Sequence, residues 1–190
     1  DVCSSDLLNE LTKGKLSREA ILDAAAELEH QADSAAASVF GGFAAAGRVN
    51  EEESRCLAFP ISSKVKFVVL VPKQVPDAEA LRTAMPHTYS KGDAFHAINR
   101  TALIATAMAS QNYEALAGLM DDRIHQPYRE NALPEFQKAI NSGIRAGAVA
   151  GWLSGSGTSI VCLTLGKAQA VAKAMQRQLD RKSTRLNSSH

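Results

Sequence analysis

Two short segments of this chain carry residue types that could act together. His125-Gln126-Pro127-Tyr128-Arg129 reads as a polar turn. An arginine beside a proline turn can grip a carboxylate with two parallel hydrogen bonds. Downstream, Leu153-Ser154-Gly155-Ser156-Gly157-Thr158 is a glycine-serine loop between two apolar runs, Ala148–Leu153 and Ser159–Leu165. Its glycines let backbone come close to a substrate or another loop. Together the segments point to a site for a small anion. The plainer readings are a surface ion pair of Arg129 with Glu130 or Asp122, and an ordinary hairpin turn.

The surrounding pattern predicts the elements that would position them. Leu16–His30 reads as a helix capped by Ser17, with Ala20, Ile21, Ala24, Ala25 and Leu28 as its apolar stripe. Val39–Gly47, with its Gly41-Gly42 pair, reads as a strand needing close backbone approach. Arg48–Ser54 is an acidic turn and Cys56–Phe59 a short strand. Val65–Val71 is β-branched and apolar, the pattern of a central strand ended by Pro72. Helices are expected at Asp77–Ala84, at Asp93–Ser110 (apolar all round, hence largely buried), at Asn112–Met120, at Pro134–Ala146 and at Lys167–Leu179. Ala148–Leu153 and Ser159–Leu165 should pair around the Gly-Ser loop. From Val65 the order is β-α-β-β-α, one strand short of a ferredoxin-like unit; that strand would follow Leu179. The fold class is α+β.

The 190 residues are 45% hydrophobic and 22% charged with net charge +1. This suits a globular domain with a real core and argues against nucleic acid or an anionic membrane as main partner. Cys56 and Cys162 lie in apolar runs without CxxC spacing. They read as buried thiols of a reducing compartment rather than a disulfide or zinc site. His30, His87 and His96 have no partners at ligand spacing. Trp152 reads as core, and His125 and Tyr128 as structural neighbours of Arg129. Residues 1–7 (DVCSSDL) and 180–190 (DRKSTRLNSSH) resemble translated short-read sequencing adapters and are expected to be non-native tails. The chain then reads as a piece of a gene.

Five segments in order make the chain resemble the homoserine kinases of the GHMP small-molecule kinase family. They are Glu29–Phe43 (EHQADSAAASVFGGF), Val68–Pro86, Tyr89–Ala109, Asp121–Pro134 (DDRIHQPYRENALP) and Gly147–Leu163 (GAVAGWLSGSGTSIVCL). The resemblance covers nearly all of residues 8–179. It implies a GHMP kinase-type fold, with residues 8–64 as the end of the N-terminal ATP-binding domain. Residues 65–179 are then a ferredoxin-like C-terminal domain lacking its last strand. It also implies ATP-dependent, Mg2+-assisted phosphorylation of the L-homoserine hydroxyl, a step of threonine biosynthesis, and a homodimer. The family's phosphate-cradling Gly-Leu-Gly-Ser-Ser loop would lie upstream of Leu8. Neither GxxxxGK[ST] nor a GxGxxG after a strand replaces it here, so the fragment alone is expected to be inactive.

The resemblance also assigns residues. Asp33 would face the substrate amine and hydroxyl as the catalytic candidate, with Ser34 beside it; the plainer reading of Asp33 is a helix cap. Gln31, Ala32 and Ser34 stand where the family has histidine, proline and asparagine. Glu29 resembles the magnesium-binding glutamate, with Glu27 a close competitor and a solvated helix face the alternative. Arg82 and Arg129 resemble the two arginines that hold the substrate carboxylate, although Ala78 replaces a usual threonine before Arg82. Ser154, Gly155, Ser156 and Gly157 resemble the family's third motif, with Thr158 in place of proline. Two other readings stand beside homoserine kinase. One is a GHMP kinase for mevalonate-like or sugar substrates. The other is a non-enzymatic amino-acid-binding module of ferredoxin-like type.

Overall fold

The computed structural model describes residues 13–14, 16–29, 32–51, 53–72, 85–129, 133, 135–155 and 158–186, without the side chains of Glu29, Ser34 and 179–186. The expected helix Asp77–Ala84, with Arg82, lies outside the described residues, as do Ser156 and Gly157. The chain divides into two compact units, residues 1–61 with 108–111, and residues 62–107 with 112–190.

In the first unit, α1 (Arg18–Glu29) begins where Ser17 predicts. The Ser17 hydroxyl accepts the Ala20 N–H at 3.2 Å, satisfying a donor the helix itself cannot use. A second helix, α2 (Ala32–Phe40), follows. The expected strand Val39–Gly47 is therefore corrected: Val39 and Phe40 close a helix, and only Phe43–Arg48 is strand (β1). The reason is the run of alanines. Ala32, Ala35 and Ala36 pack against Leu22, Ala25 and Ala26 of α1 with no side chain to hold the helices apart. Asp33 accordingly stands in the first turn of α2 rather than at the end of α1.

Gly41 (φ +75°) and Gly42 (φ +67°) turn the chain out of α2, the left-handed ending that glycine makes without strain. β1 then pairs antiparallel with β2 (Ser54–Phe59) in the register Phe43↔Phe59 to Arg48↔Ser54. Close approach at the glycine pair is real: a Cβ on Gly42 would collide with the Phe59 carbonyl oxygen. The Asp23 carboxylate of α1 accepts the Ser54 N–H at 2.6 Å, fastening the start of β2.

The second unit is built on a three-stranded antiparallel sheet in the order β3-β5-β4, with β3 Lys66–Leu70, β4 Ala150–Leu153 and β5 Ile160–Thr164. With the helices between and after them this is the β-α-β-β-α order, in the strand arrangement of an α+β ferredoxin-like unit. β5, not β3, is the central strand: all five of its residues are buried, whereas Phe67 and Val69 of β3 are about half exposed, at 45% and 56%. An unbroken apolar run says that both faces of a strand can be covered, not that both edges are paired.

Between β3 and the later strands lie α3 (Lys91–Ala109), the one-turn α4 (Gln126–Arg129) and α5 (Phe136–Arg145); α6 (Ala168–Leu186) closes the order. α3 is not largely buried. Phe95, Ile98 and Leu103 remain half or more exposed, because α5 and α6 supply the helical cover of the sheet. Asn112–Met120 is no helix beyond a 3₁₀ turn at Tyr113–Leu116; Gly118 at φ +73° diverts the chain. α6 continues past Leu179, where its end was expected.

One core joins sheet and helices: Phe136 and Ile140 of α5, Val171 and Met175 of α6, Leu153, Ile160 and Cys162 of the strands. Cys162 is fully buried. Its sulfur occupies the space that two missing side chains leave, since a Cβ on Gly143 would stand 2.7 Å from it and one on Gly151 2.9 Å. Cys56 is only partly buried, a correction to its expected burial, and both cysteines are free thiols. Among the described residues no helix is long and apolar enough to cross a membrane.

Two outcomes follow from this packing. Gly42→Ala should lower stability by about 2 kcal/mol or more, and Gly41→Ala, where a Cβ meets nothing within 4 Å, by about 1 kcal/mol; urea unfolding followed by circular dichroism reads both. Burial pushes the Cys162 thiol from 9.0 up to about 11. The folded state thus holds its proton after the unfolded chain has released it, and this contribution to stability is lost as pH rises from 9 to 11. Relative to Cys162→Ala, the native chain should lose up to about 3 kcal/mol over that interval in pH-dependent urea titrations.

Candidate functional site

The segment 121–129 is fixed to its surroundings at each step. On α3, His96 and Arg100 lie one turn apart and converge on Asp121. Arg100 Nε stands 2.7 Å from one carboxylate oxygen and Nη2 donates to the other at 3.2 Å. His96 Nε2 donates to the Asp121 main-chain carbonyl at 2.9 Å and lies 3.3 Å from its carboxylate. The hydrogen bond from Arg100 holds the Asp121 carboxyl below the usual carboxylate range. These groups are partly solvated, so the cluster contributes little to stability and mainly sets position.

Asp122 then caps α4. Its carboxylate accepts the N–H groups of Ile124 (2.8 Å), His125 (3.0 Å) and Gln126 (2.6 Å). The expected polar turn at 125–129 is therefore a capped single helical turn, because a carboxylate two to four residues upstream takes the donors that a turn would leave to water.

Gln126 joins the two segments singled out by sequence. Its Oε1 accepts the Leu153 N–H at 2.8 Å, at the end of β4, and its Nε2 donates to the Met120 carbonyl at 3.3 Å. The Gly-Ser loop starts at the next residue. There Ser154 N–H donates to the Ser159 carbonyl at 2.9 Å and Gly155 takes φ +54°. HQPYR and the Gly-Ser loop are thus neighbours. The part Gln126 plays is not visible in the sequence, because an amide's value lies in which backbone groups it reaches, and Leu153 sits 27 residues away.

Arg129 ends α4 and is buried, with relative exposure 5%. Its Nε and Nη1 have no hydrogen-bond partner among the described residues. Asp122, one partner of the plainer reading, is committed to the cap; Glu130, the other, lies outside the described residues. Burial lowers the pKa of the guanidinium from its ordinary value. It lowers that of His125 as well, helped by the nearby Arg129 charge and opposed by Asp122. Tyr128 packs edge-on against Tyr89, ring centroids 6.1 Å apart. Trp152 is only half-buried and meets Phe67 edge-on at 6.4 Å on the sheet. A buried guanidinium with free donors is costly unless an anion completes it, so this arrangement can bind a carboxylate or phosphate.

Asp33 stands exposed on α2 in the first unit. Glu29 and Ser34 lie in α1 and α2, with side chains outside the described set. Among the described residues no three His, Cys, Asp or Glu gather at metal-binding spacing. A groove of about 480 Å³ beside α5, floored by Met120, Phe136, Ile140 and Ile144, has Asp121 and Gln126 on its rim; Arg129 is not part of its lining.

Known proteins share this architecture. Residues 104–181 match the family model described as GHMP kinases C terminal. The homoserine kinase of Caldicellulosiruptor saccharolyticus is 35% identical over 155 residues, 82% of this chain and 50% of that protein. A homoserine kinase of Thermus thermophilus is 33% identical over 170 residues, 89% of this chain and 57% of that one. The crystal structure of homoserine kinase from Cytophaga hutchinsonii superposes with TM-score 0.80 at 21% identity, covering 92% of this chain and 57% of that one. L. major mevalonate kinase in complex with R-mevalonate gives TM-score 0.61 at 17% identity, covering 95% and 59%. The chain spans about half the length of the curated relatives it matches.

A guanidinium with two nitrogens unpartnered among the described residues has a measurable signature. Arg129→Met keeps the length and apolar stem but removes a buried charge, so stability should stay level or rise by about 1 kcal/mol. A urea midpoint that falls steeply would mean that a protein group already satisfies Arg129.

Proposed function

Because the chain belongs to the GHMP kinases, carrying their C-terminal domain, we propose that the protein it comes from phosphorylates the side-chain hydroxyl of L-homoserine with ATP. The observation that carries this reading is Arg129, buried with Nε and Nη1 unpartnered among the described residues. A guanidinium so placed recognises a carboxylate, which an amino-acid substrate has and a plain alcohol lacks. The named relatives, homoserine kinases at 33–35% identity, support homoserine as that substrate.

In this reading Arg129, with Arg82, fixes the carboxylate. Asp33 and Ser34 orient the amine and hydroxyl. The loop at Ser154, Gly155, Ser156 and Gly157 comes close to substrate and phosphates where glycine leaves room. Mg2+, held by Glu29 or Glu27 together with the ATP phosphates, supplies charge neutralisation when bound. The homoserine oxygen attacks the γ-phosphorus as the bond to the β–γ bridging oxygen breaks. ADP leaves, and the hydroxyl proton passes to Asp33 or to water. Positioning and electrostatics carry most of such a transfer. Residues 1–190 contain no phosphate-cradling motif, and by themselves should not turn over ATP. The same reading makes the protein cytoplasmic and homodimeric.

The test is a coupled ADP-release assay on the uninterrupted gene product with homoserine. Turnover should appear, and Arg129→Met should raise the homoserine KM about 100-fold while the ATP KM stays within about twofold. Turnover of mevalonate without turnover of homoserine would move the protein to another GHMP kinase activity, a reading favoured by Gln31, Ala32 and Ser34. Amino-acid binding without any turnover would favour the binding module.

A further inference from the structure

We propose that Gln126 is a positioning residue that sets Arg129 and the Gly-Ser loop at a fixed distance from each other. The proposal rests on the homoserine kinase reading for what the distance is used for, and on geometry alone for the tie itself.

Among the described residues β4 is an edge strand, paired only with β5. Its ladder continues through Ser154, whose N–H reaches the Ser159 carbonyl, so the N–H of Leu153 points to the open edge. Gln126 Oε1 takes that donor at 2.8 Å and so stands in for a neighbouring strand over one residue. Through its other amide atom Gln126 holds the Met120 carbonyl, and its own N–H is held by Asp122. One half-buried side chain therefore ties three backbone segments: the approach at 120–122, the turn that ends in Arg129, and the strand end from which the loop 154–159 leaves. Among the described residues this is the hydrogen bond that links α4 to β4. Glutamate or asparagine could not serve equally. Glutamate lacks the donor for the Met120 carbonyl, and asparagine is one methylene shorter.

A positioning role differs from a merely structural one in what it moves. The uninterrupted protein would be compared with Gln126→Met, which keeps the volume and removes both side-chain hydrogen bonds. Gln126→Glu restores the acceptor, and Gln137→Ala serves as a surface control. For Gln126→Met, the Leu153 amide should exchange about tenfold faster. The homoserine KM should rise about tenfold with the ATP KM within about twofold, and the thermal midpoint should be nearly unchanged. Gln126→Glu should recover much of the Leu153 protection and part of the KM. Unaltered Leu153 protection in Gln126→Met overturns the proposal, and so does a parallel rise of both KM values. A wild-type protein that ignores homoserine but turns over another substrate overturns the functional reading instead; the KM comparison is then made on that substrate.

Discussion

A guanidinium removed from water must be held there by everything around it. Burial lowers the basicity of Arg129, and two of its nitrogens find no acceptor among the described residues. Left to itself the side chain would swing out to solvent. The short helix that carries it prevents this, being anchored at its start by Asp122, which holds the Gln126 N–H, and by the Gln126 side chain. Asp121 in turn is clamped by His96 and Arg100 from α3. Those contacts are modest one by one. Together they hold a charge where the fold alone gains nothing from it. Strain of this kind is usual where a ligand completes the electrostatics.

The fold and the site were legible to different degrees. Helix α1 with its Ser17 cap and the β4–β5 hairpin follow from local pattern, where apolar spacing and turn residues agree. The same pattern misplaced Val39 and Phe40, since an alanine-rich run suits either element until α1 provides a surface to pack on. It also promoted β3 to the sheet centre, because burial of faces and pairing of edges leave the same apolar trace. At the site, Arg129 could be named from its neighbours in sequence. Its burial could not, since burial depends on what the rest of the chain brings around it. Gln126 was invisible for the same reason. A long-range hydrogen bond to a backbone N–H leaves no mark on residue type.

The two units also use glycine differently. In the first, Gly41 and Gly42 provide a backbone turn that other residues adopt with strain, and Gly42 lets the chain pass against the Phe59 carbonyl. In the second, Gly143 and Gly151 sit in ordinary backbone and provide volume, which the Cys162 sulfur fills. The latter sets how closely α5 lies on β4, and through β4 where the loop at 154 begins.

The sheet order also carries a temporal consequence. β4 and β5 are joined by the short loop at 154–159, whereas Val68 of β3 must find Cys162 across most of the unit. Closing that larger loop costs about 2 kcal/mol more in chain entropy than closing the hairpin. The hairpin, with α5 beside it, is then the nucleus that local contacts favour, and β3 docks late onto a surface already formed. The turn that carries Arg129 is tethered to β4, so it belongs to the part of the chain that organises first and waits, already shaped, for the rest.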